Sequence, residues 1–413
     1  MTSSMDQGIL ADAAGLSPGQ FTIQRALQSV RTHLGMDVAY LSEFVGNDSV
    51  FRAVDAPGLE AIIKPGDRRS LDDVYCRHIL DGRLPRLIPD TSEEPLALAL
   101  PITKAVPIGS HVSIPIYLPD GQPYGMFCCL SAKPNKSLNP RDLDIMTMFA
   151  ELATHELHRE ISSAQVSRTR QSRIESVIQS GAFSLVYQPI CSLRDMQVVG
   201  FEALCRFSDE PYRSPDKWFA EAAEAGLGVD LEIAVLEKSV QDLQSLPQAA
   251  YVSFNASPET VTSGRLSPLF DRIPTGRVVI EVTEHAPVAD YDQLMASLSD
   301  LRARGARLAV DDAGAGFASL QHIVRLAPDF IKLDMSLTRD IDTDPARRAL
   351  ASALIFFARE TGSAIIAEGI ETEGERELLK LLGVSNGQGY LLGRPMPLAD
   401  IAGWRDKRRA IAG

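Results

Sequence analysis

In the second half of the sequence, one short apolar run after another ends in a polar residue. The run Arg307-Leu-Ala-Val310 ends on two adjacent carboxylates, Asp311 and Asp312. Ionised side chains at neighbouring positions repel each other, so this pair indicates a place where positive charge is needed. The other runs also end on polar residues: Glu202, Asn255, Glu281 with Glu284, Lys332 with Asp334, Glu368 with Glu371, and Gln388.

Apart from Lys332, the residues of this set offer a metal oxygen atoms, and there is no cysteine or histidine among them. Carboxylate and amide oxygens favour hard cations such as Mg²⁺ or Mn²⁺ over zinc or copper. Taken alone, each residue is also explained as a helix cap or a solvated surface charge. Apolar flanks such as Val279-Ile280 and Ile365-Ile366-Ala367 do not suit a surface position, so the recurrence favours one shared site.

The elements that carry these residues alternate between β-like and helical patterns from about Ser176 onward. Eight strands with helices between them predict a (β/α)8 barrel over residues 176–405. The carboxyl ends of barrel strands share one mouth, where the polar residues would meet. The eight runs are SLVYQPI, VVGFEALCRF, AAYVSFNAS, RVVIEVTE, RLAVDD, DFIKLD, AIIAEGI and GQGYLLG.

The first part of the chain has a different pattern. Two apolar runs around Pro119-Asp-Gly121 predict a β-hairpin, and helical spacing begins near Phe21. A helix is predicted from about Pro140 to Gln179, with apolar residues at intervals of three and four and a polar stretch beyond Ile161. We therefore predict an α+β domain over 20–160 and a connecting helix over 161–175.

Bulk properties are those of an ordinary globular protein of 413 residues, with 45% hydrophobic and 23% charged residues. A net charge of −13 argues against binding to a nucleic-acid polymer. The five cysteines show no CxxC spacing, which favours a reducing compartment. We see no signal peptide and no apolar stretch of the ~20 residues that a membrane span needs. The expectation is a cytoplasmic protein without membrane contact.

The second domain resembles the EAL family of cyclic di-GMP phosphodiesterases, named for the triplet that stands here as Glu202-Ala203-Leu204. The resemblance covers about residues 175–405 and implies a TIM-like barrel that hydrolyses cyclic di-GMP to linear pGpG. Together, the order and spacing of the matching stretches are highly specific. The stretches are YQPI (187–190), FEALCRF (201–207), FNAS (254–257), EVTE (281–284), DDAGAGFASL (311–320), FIKLD (330–334), AEGIET (367–372) and QGYLLGRPMP (388–397).

The resemblance implies a role for each matching residue. One ion would be held by Glu202, Asn255, Glu281 and Asp311, and a second by Asp311, Asp312 and Glu368. Lys332 would orient or help deprotonate the attacking water, with Glu368 and Glu202 as further catalytic residues. The residues implied in substrate contact are Gln188, Leu204, Arg206, Asp312 and Gln388. The residues implied in the loop and in bracing the mouth are Glu284, Gly314, Gly316, Ser319 and Glu371.

The positions that depart from the family pattern are near the implied metal ligands, but none of them is a ligand. Ala313, Ala315 and Ala318 replace an aromatic and two hydroxyl residues in the loop after the aspartates, and Phe207 stands where tryptophan is frequent. Every metal ligand of the family is retained, so we expect an active enzyme. Activity should require two Mg²⁺ or Mn²⁺ ions, and Ca²⁺ should bind and inhibit because its longer bonds mis-space the pair.

The first domain resembles a GAF-type sensory domain, on the strength of its hairpin and flanking helices. It would bind an unidentified small molecule and control the barrel, with the long helix pairing in a homodimer. Cys76 and His78 invite a redox or chromophore interpretation, but a buried apolar cysteine explains the pattern better. Two other functions remain open for the barrel: a non-catalytic cyclic di-GMP receptor, and a Mg²⁺-dependent lyase or isomerase of the enolase kind.

Overall fold

The structure is a computed structural model. It describes residues 15–208, 212–271, 273–283, 290–313 and 319–412. The chain divides into two compact units, with the division after Ser167. Within the described ranges, no helix combines the length and the apolar character needed to cross a bilayer.

The first unit is built on a six-stranded antiparallel sheet with the strand order β3-β2-β1-β6-β5-β4. The strands are β1 Val38–Val45, β2 Asp48–Asp55, β3 Arg68–Ser70, β4 Leu87–Ile88, β5 Ser110–Tyr117 and β6 Pro123–Ser131. The helices are α1 Pro18–Leu34, α2 Tyr75–Leu80, α3 Pro95–Ala99, α4 Pro101–Ala105 and α5 Pro140–Ser180, with a 3-10 turn at Thr91–Glu93.

Both faces of this sheet are covered, because side chains alternate between them along each strand. Leu41 faces one core together with Leu27 of α1 and Met146 of α5. Tyr40, its neighbour, faces the other core, which includes Cys76 of α2. The predicted hairpin is confirmed as β5 paired with β6, and Cys76 is buried as predicted.

The second unit is a closed barrel of eight strands. Its strands are β7 Phe183–Ser192, β8 Val198–Phe207, β9 Tyr251–Asn255, β10 Val278–Thr283, β11 Arg307–Ala313, β12 Phe330–Leu333, β13 Ala364–Ala367 and β14 Asn386–Gly387, and β15 Met396–Pro397 pairs outside the circle with β7. Its helices are α6 Pro215–Glu224, α7 Gly228–Asp242, α8 Pro258–Thr262, α9 Leu266–Phe270, α10 Tyr291–Ala303, α11 Ser319–Leu326, α12 Met335–Thr338, α13 Pro345–Thr361, α14 Glu373–Leu381 and α15 Ile401–Ala412, with 3-10 turns at Thr275–Arg277 and Leu398–Asp400. The predicted TIM-like barrel is therefore confirmed.

The first barrel strand runs antiparallel to the others, whereas a regular (β/α)8 barrel, as predicted, has eight parallel strands with a helix after each. β7 pairs antiparallel with β8 on one side and with β14 on the other, which closes the circle. Only residues 193–197 connect β7 to β8. A parallel crossover needs a dozen or more residues, so this short connection can only make a hairpin.

Alternation along the strands separates the barrel interior from the helical shell. Val278, Ile280 and Val282 of β10 belong to the core shared with the helices. Val279, between them, belongs to a small interior cluster that includes Tyr251 and Phe330. Glu281 lies on the same face of β10 as Val279, one step nearer the carboxyl end of the strand, and is fully buried. The interior is thus apolar at one end and acidic at the other.

Candidate active site

Strand register brings the predicted polar residues to the same level of the barrel. Glu281 of β10 pairs with Asn255 of β9 on one side and with Ala309 of β11 on the other. On the antiparallel side, Gln188 of β7 pairs with Glu202 of β8. Residues from separate strands therefore line one mouth, as the fold requires.

A single buried lysine occupies the centre of the acidic group. The Nζ atom of Lys332 lies 2.8 Å from Glu281 Oε2, 2.8 Å from Glu368 Oε1, 3.1 Å from Asp311 Oδ1 and 3.4 Å from Glu202 Oε1. The lysine is only 1% exposed, so water screens these charges little. One ammonium group cannot neutralise four carboxylates, so the site would carry an excess of negative charge if all four were ionised.

The pKa values reflect this excess. Burial raises the pKa of Glu281 to about 8, against the opposing effect of Lys332. Burial likewise raises the pKa of Glu368 well above its ordinary value, and Asp311 and Glu202 add to the rise. Burial alone would lower the pKa of Lys332, but the surrounding carboxylates outweigh it and hold the lysine charged. Without added cations, the cluster compensates its charge by holding protons.

Two groups of carboxylates have the spacing of metal ligands. Oxygen atoms of Glu202, Glu281 and Asp311 lie within 4.8 Å of one another, and so do oxygen atoms of Asp311, Asp312 and Glu368. Asp311 belongs to both groups. The geometry thus allows two cations that share one carboxylate, with the same two carboxylate groupings that the sequence resemblance implies.

A bulge in β11 explains how two adjacent aspartates reach the same mouth. The register between β11 and β12 shifts between Val310 and Ala313, so that one extra residue is accommodated. Asp312 adopts φ 58°, a left-handed conformation, and its backbone N–H donates to Asp311 Oδ1 at 2.9 Å. In a regular strand, neighbouring side chains would point to opposite faces.

Amide side chains hold Glu202 in place. Its Oε2 accepts a 2.5 Å hydrogen bond from Gln388 Nε2, and its Oε1 accepts one of 3.3 Å from Asn255 Nδ2. Gln388 Nε2 also donates to Gln188 Oε1 at 2.9 Å. Because Asn255 donates through Nδ2, Oδ1 is the side-chain atom of this residue that carries lone pairs. Despite burial, the pKa of Glu202 lies below its ordinary value, because Lys332 and these amides favour the ionised form.

The predicted substrate contacts on β8 lie above this cluster. Glu202, Leu204 and Arg206 share one face of the strand, and the last two are partly exposed. Arg206 donates to the carbonyl of Cys205 at 2.7 Å. Phe207 points the other way and stacks on Trp218, with ring centroids 4.9 Å apart.

Several residues of the predicted loop and brace lie beyond what can be described. Glu284, Gly314, Gly316, Ala315 and Ala318 lie outside the described residues. Ser319 begins α11, and its side chain is likewise not described. Glu371 is exposed and bonds Arg339 at 2.8 Å, and Asp334 caps α12 by accepting from the Ser336 N–H. Ala313 is fully buried at the end of β11.

Comparison with known proteins identifies the family. The model of the EAL domain matches residues 170–395, more than half of the chain. The chain belongs to the EAL domain family. The model of the GAF domain matches residues 20–157, which lie in the first unit.

Named relatives of this EAL protein include cyclic di-GMP phosphodiesterases. It is 30% identical over 231 residues to the probable cyclic di-GMP phosphodiesterase PdeD of Escherichia coli K12, a match that covers 54% of this chain and 43% of PdeD. It is 31% identical over 244 residues to the cyclic di-GMP phosphodiesterase NbdA of Pseudomonas aeruginosa, covering 56% of this chain and 31% of NbdA. The chain thus spans less than half the length of these relatives.

Among solved structures, the EAL protein is similar to the PaMucR phosphodiesterase in complex with c-di-GMP. The TM-score is 0.51 at 28% identity, and the match covers 56% of this chain and 99% of that one. The likeness is therefore to an EAL domain bound to its nucleotide.

One contact next to the site was not predictable from the sequence. Glu232 of α7 accepts hydrogen bonds from Ser257, which lies two residues beyond Asn255. The two residues are separated by 25 positions. A helical glutamate at a partly exposed position is ordinary in sequence, so only the three-dimensional arrangement reveals the contact.

Proposed function

We propose that this EAL protein hydrolyses cyclic di-GMP to linear pGpG with the help of two divalent cations, Mg²⁺ or Mn²⁺. The observation that carries the proposal is the pair of carboxylate groups around Lys332 with Asp311 in common. The names of the relatives support the substrate and favour phosphodiester chemistry over a lyase reaction of the enolase kind.

The residues present fit a pair of hard cations. The donors are oxygens, the excess negative charge is buried, and Glu281 Oε1 has no hydrogen-bond partner despite its burial. Glu202, Asn255, Glu281 and Asp311 would hold one cation, whereas Asp311, Asp312 and Glu368 would hold the other. When bound, such ions acidify a water molecule and neutralise charge on the phosphoryl group.

The side chains of the chain divide the remaining work. Lys332 is held protonated, so its part is to orient the attacking water and to stabilise developing negative charge. Once the cation that it would hold is bound, Glu368 would be ionised and would accept the proton of that water as the new O–P bond forms; the ester oxygen that leaves would take up a proton from solvent. Arg206 suits a phosphate oxygen because a guanidinium donates two parallel hydrogen bonds. Leu204, Gln188, Gln388 and Asp312 are the further residues that we propose contact the nucleotide.

A cleavage assay tests the proposal. Purified protein with Mg²⁺ and cyclic di-GMP should yield pGpG, and Lys332→Met should abolish the product without abolishing folding. Arg304→Gln, on the exposed end of α10, serves as the control with unchanged turnover. Tight binding of cyclic di-GMP without cleavage in metal-saturated protein would instead establish the receptor function and reject the enzyme.

The first unit supplies the features of a sensor. A cavity of about 210 Å³ lies against its sheet, lined mainly by apolar side chains such as Tyr40, Phe51 and Val106. Burial lowers the pKa of His111, another lining residue, to about 4, so its imidazole is neutral. A small uncharged molecule fits this lining. We propose that such a ligand regulates the barrel.

We also propose that the protein is a homodimer in the cytoplasm. Met148 and Leu152 are apolar residues on an outer face of α5, 69% and 44% exposed, which supports pairing with a second copy. The five cysteines are free and buried, which suits a reducing compartment.

A further inference from the structure

Glu232 is a partly buried carboxyl group on α7, outside both groups of metal-ligand candidates. Its Oε2 accepts two hydrogen bonds from one residue, from Ser257 N at 2.8 Å and from Ser257 Oγ at 3.0 Å. Burial raises the pKa of this carboxyl against the opposing effect of those bonds. Burying an ionised carboxylate costs free energy, and the two hydrogen bonds from Ser257 offset part of that cost.

Ser257 ties together the turn that follows Asn255. Its Oγ caps α8 by accepting from the Thr260 N–H at 3.2 Å. Ala256, which lies between Asn255 and Ser257, donates its N–H to the Glu281 carbonyl at 2.9 Å. The turn is therefore fixed to β10 on one side and, through Glu232, to α7 on the other.

The orientation of Asn255 depends on this turn. Its amide can hold a cation only through Oδ1, and its Nδ2 must meanwhile face Glu202, as it does at 3.3 Å. Asn255 is the last residue of β9, and the N–H of the next residue, Ala256, donates to the Glu281 carbonyl. A shift of the turn at Ser257 would therefore act on the end of the strand that carries the Asn255 amide.

We infer that Glu232 is a positioning residue for Asn255 and, through it, for the cation that Asn255 shares with Glu202, Glu281 and Asp311. The inference rests on the proposed function, because it assumes that this group of residues binds a cation. Glu232 acts from outside the site by holding both donors of Ser257. Groups that hydrogen-bond a metal ligand typically change metal affinity by about 10- to 100-fold when removed. Glu232 bonds Ser257 and not Asn255 itself, so we expect an effect at the lower end of this range.

Titration of Mn²⁺ into the full chain, followed by calorimetry and by electron paramagnetic resonance, tests the inference. Glu232→Ala should weaken one Mn²⁺ site by about tenfold or more and leave the other unchanged. Glu232→Gln keeps one acceptor oxygen and the side-chain shape, so it should fall between Glu232→Ala and the wild type. Glu237→Ala, at an exposed position of the same helix, should bind both ions normally.

The Asp312→Asn background identifies which site is affected. With Asp312 replaced, the site that contains Asn255 should remain, and adding Glu232→Gln should weaken that single Mn²⁺ ion. Unchanged affinity there, together with a lowered melting temperature, would show a purely structural role and overturn the inference. A wild-type protein that binds no Mn²⁺ would reject the proposed function itself, and the inference with it.

Discussion

Asp311→Asn is the substitution that separates a shared metal ligand from an ordinary buried acid. Asp311 Oδ1 lies 3.1 Å from Lys332 Nζ. Oxygens of four other carboxylates lie within 4.8 Å of its own in the two groups, namely those of Glu202, Glu281, Asp312 and Glu368. The asparagine keeps the shape and removes the charge, so metal-free and metal-loaded proteins should respond in opposite directions.

These distances give the expected change in the free energy of unfolding of the metal-free protein. At an effective dielectric constant of about 20, Asp311 gains about 5 kcal/mol from the lysine at 3.1 Å and loses at least about 3 kcal/mol to each ionised carboxylate, because their oxygens lie within 4.8 Å. Protons held by Glu281 and Glu368 remove part of this repulsion. We therefore expect Asp311→Asn to stabilise the metal-free protein by roughly 1–2 kcal/mol.

With metal bound, the wild type should be more stable than Asp311→Asn. Mn²⁺ at 100 times its dissociation constant should stabilise the wild type by about 3 kcal/mol for each site and the variant by far less. Losing a shared ligand should also lower kcat at least ~10³-fold, which corresponds to about 4 kcal/mol of transition-state stabilisation. Thermal unfolding with EDTA and with Mn²⁺, alongside a pGpG assay, measures both effects.

Asp312→Asn is the matched control. Asparagine tolerates the left-handed backbone of this position as aspartate does, so the bulge is not strained. This variant should lose one Mn²⁺ site and retain the other, whereas Asp311→Asn should lose both. Wild-type turnover in Asp311→Asn, or an unchanged rise in melting temperature with Mn²⁺, would refute the assignment of a shared ligand.

Three further expectations follow from the structure. Ca²⁺ should bind at the carboxylates yet inhibit pGpG formation in competition with Mg²⁺, and equal turnover with Ca²⁺ alone would contradict this. The pKa of Glu281 is raised from its ordinary value of 4.5 to about 8, so between these two pH values the folded state binds a proton that the unfolded state does not. The unfolding free energy of the metal-free protein should therefore fall as pH rises from about 4.5 to 8. Glu281→Gln should reduce this dependence on pH, measured by urea titrations. If the protein is the proposed homodimer, Met148→Glu with Leu152→Glu should convert it into monomers in light scattering while the unfolding temperature stays the same, because both side chains are exposed. A dimer that persists in this variant would place the interface elsewhere.

The strand-end pattern predicted the barrel and, within its mouth, the cluster of Glu202, Glu281, Asp311, Asp312, Lys332 and Glu368. Two residues of the same pattern lie outside that cluster, because Asp334 caps α12 and Glu371 bonds Arg339. Period-two alternation places Glu202, Glu281 and Lys332 in the interior once the strands are known. The bulge at Asp311 and Asp312 was not predictable, because it depends on the register between β11 and β12. The reversal of β7 follows from the short connection after Ser192, although the apolar run itself gives no direction.

Glu232 illustrates a second limit of the sequence. Its contact with Ser257 joins a helix to the turn after a different element, and no local periodicity encodes such a pairing. The protonation of Glu281 and Glu368 likewise arises only when acids from separate strands are buried together. Local patterns predict which residues approach the site, whereas their charge states depend on the assembled site.

The most direct test of the central claim is a Mn²⁺ titration of EDTA-treated protein in the presence of cyclic di-GMP, with pGpG measured at each step. The two carboxylate groups that share Asp311 predict that turnover appears only as the second equivalent of Mn²⁺ binds. Full turnover in metal-free protein, or no pGpG with both sites filled, would contradict a two-cation phosphodiesterase.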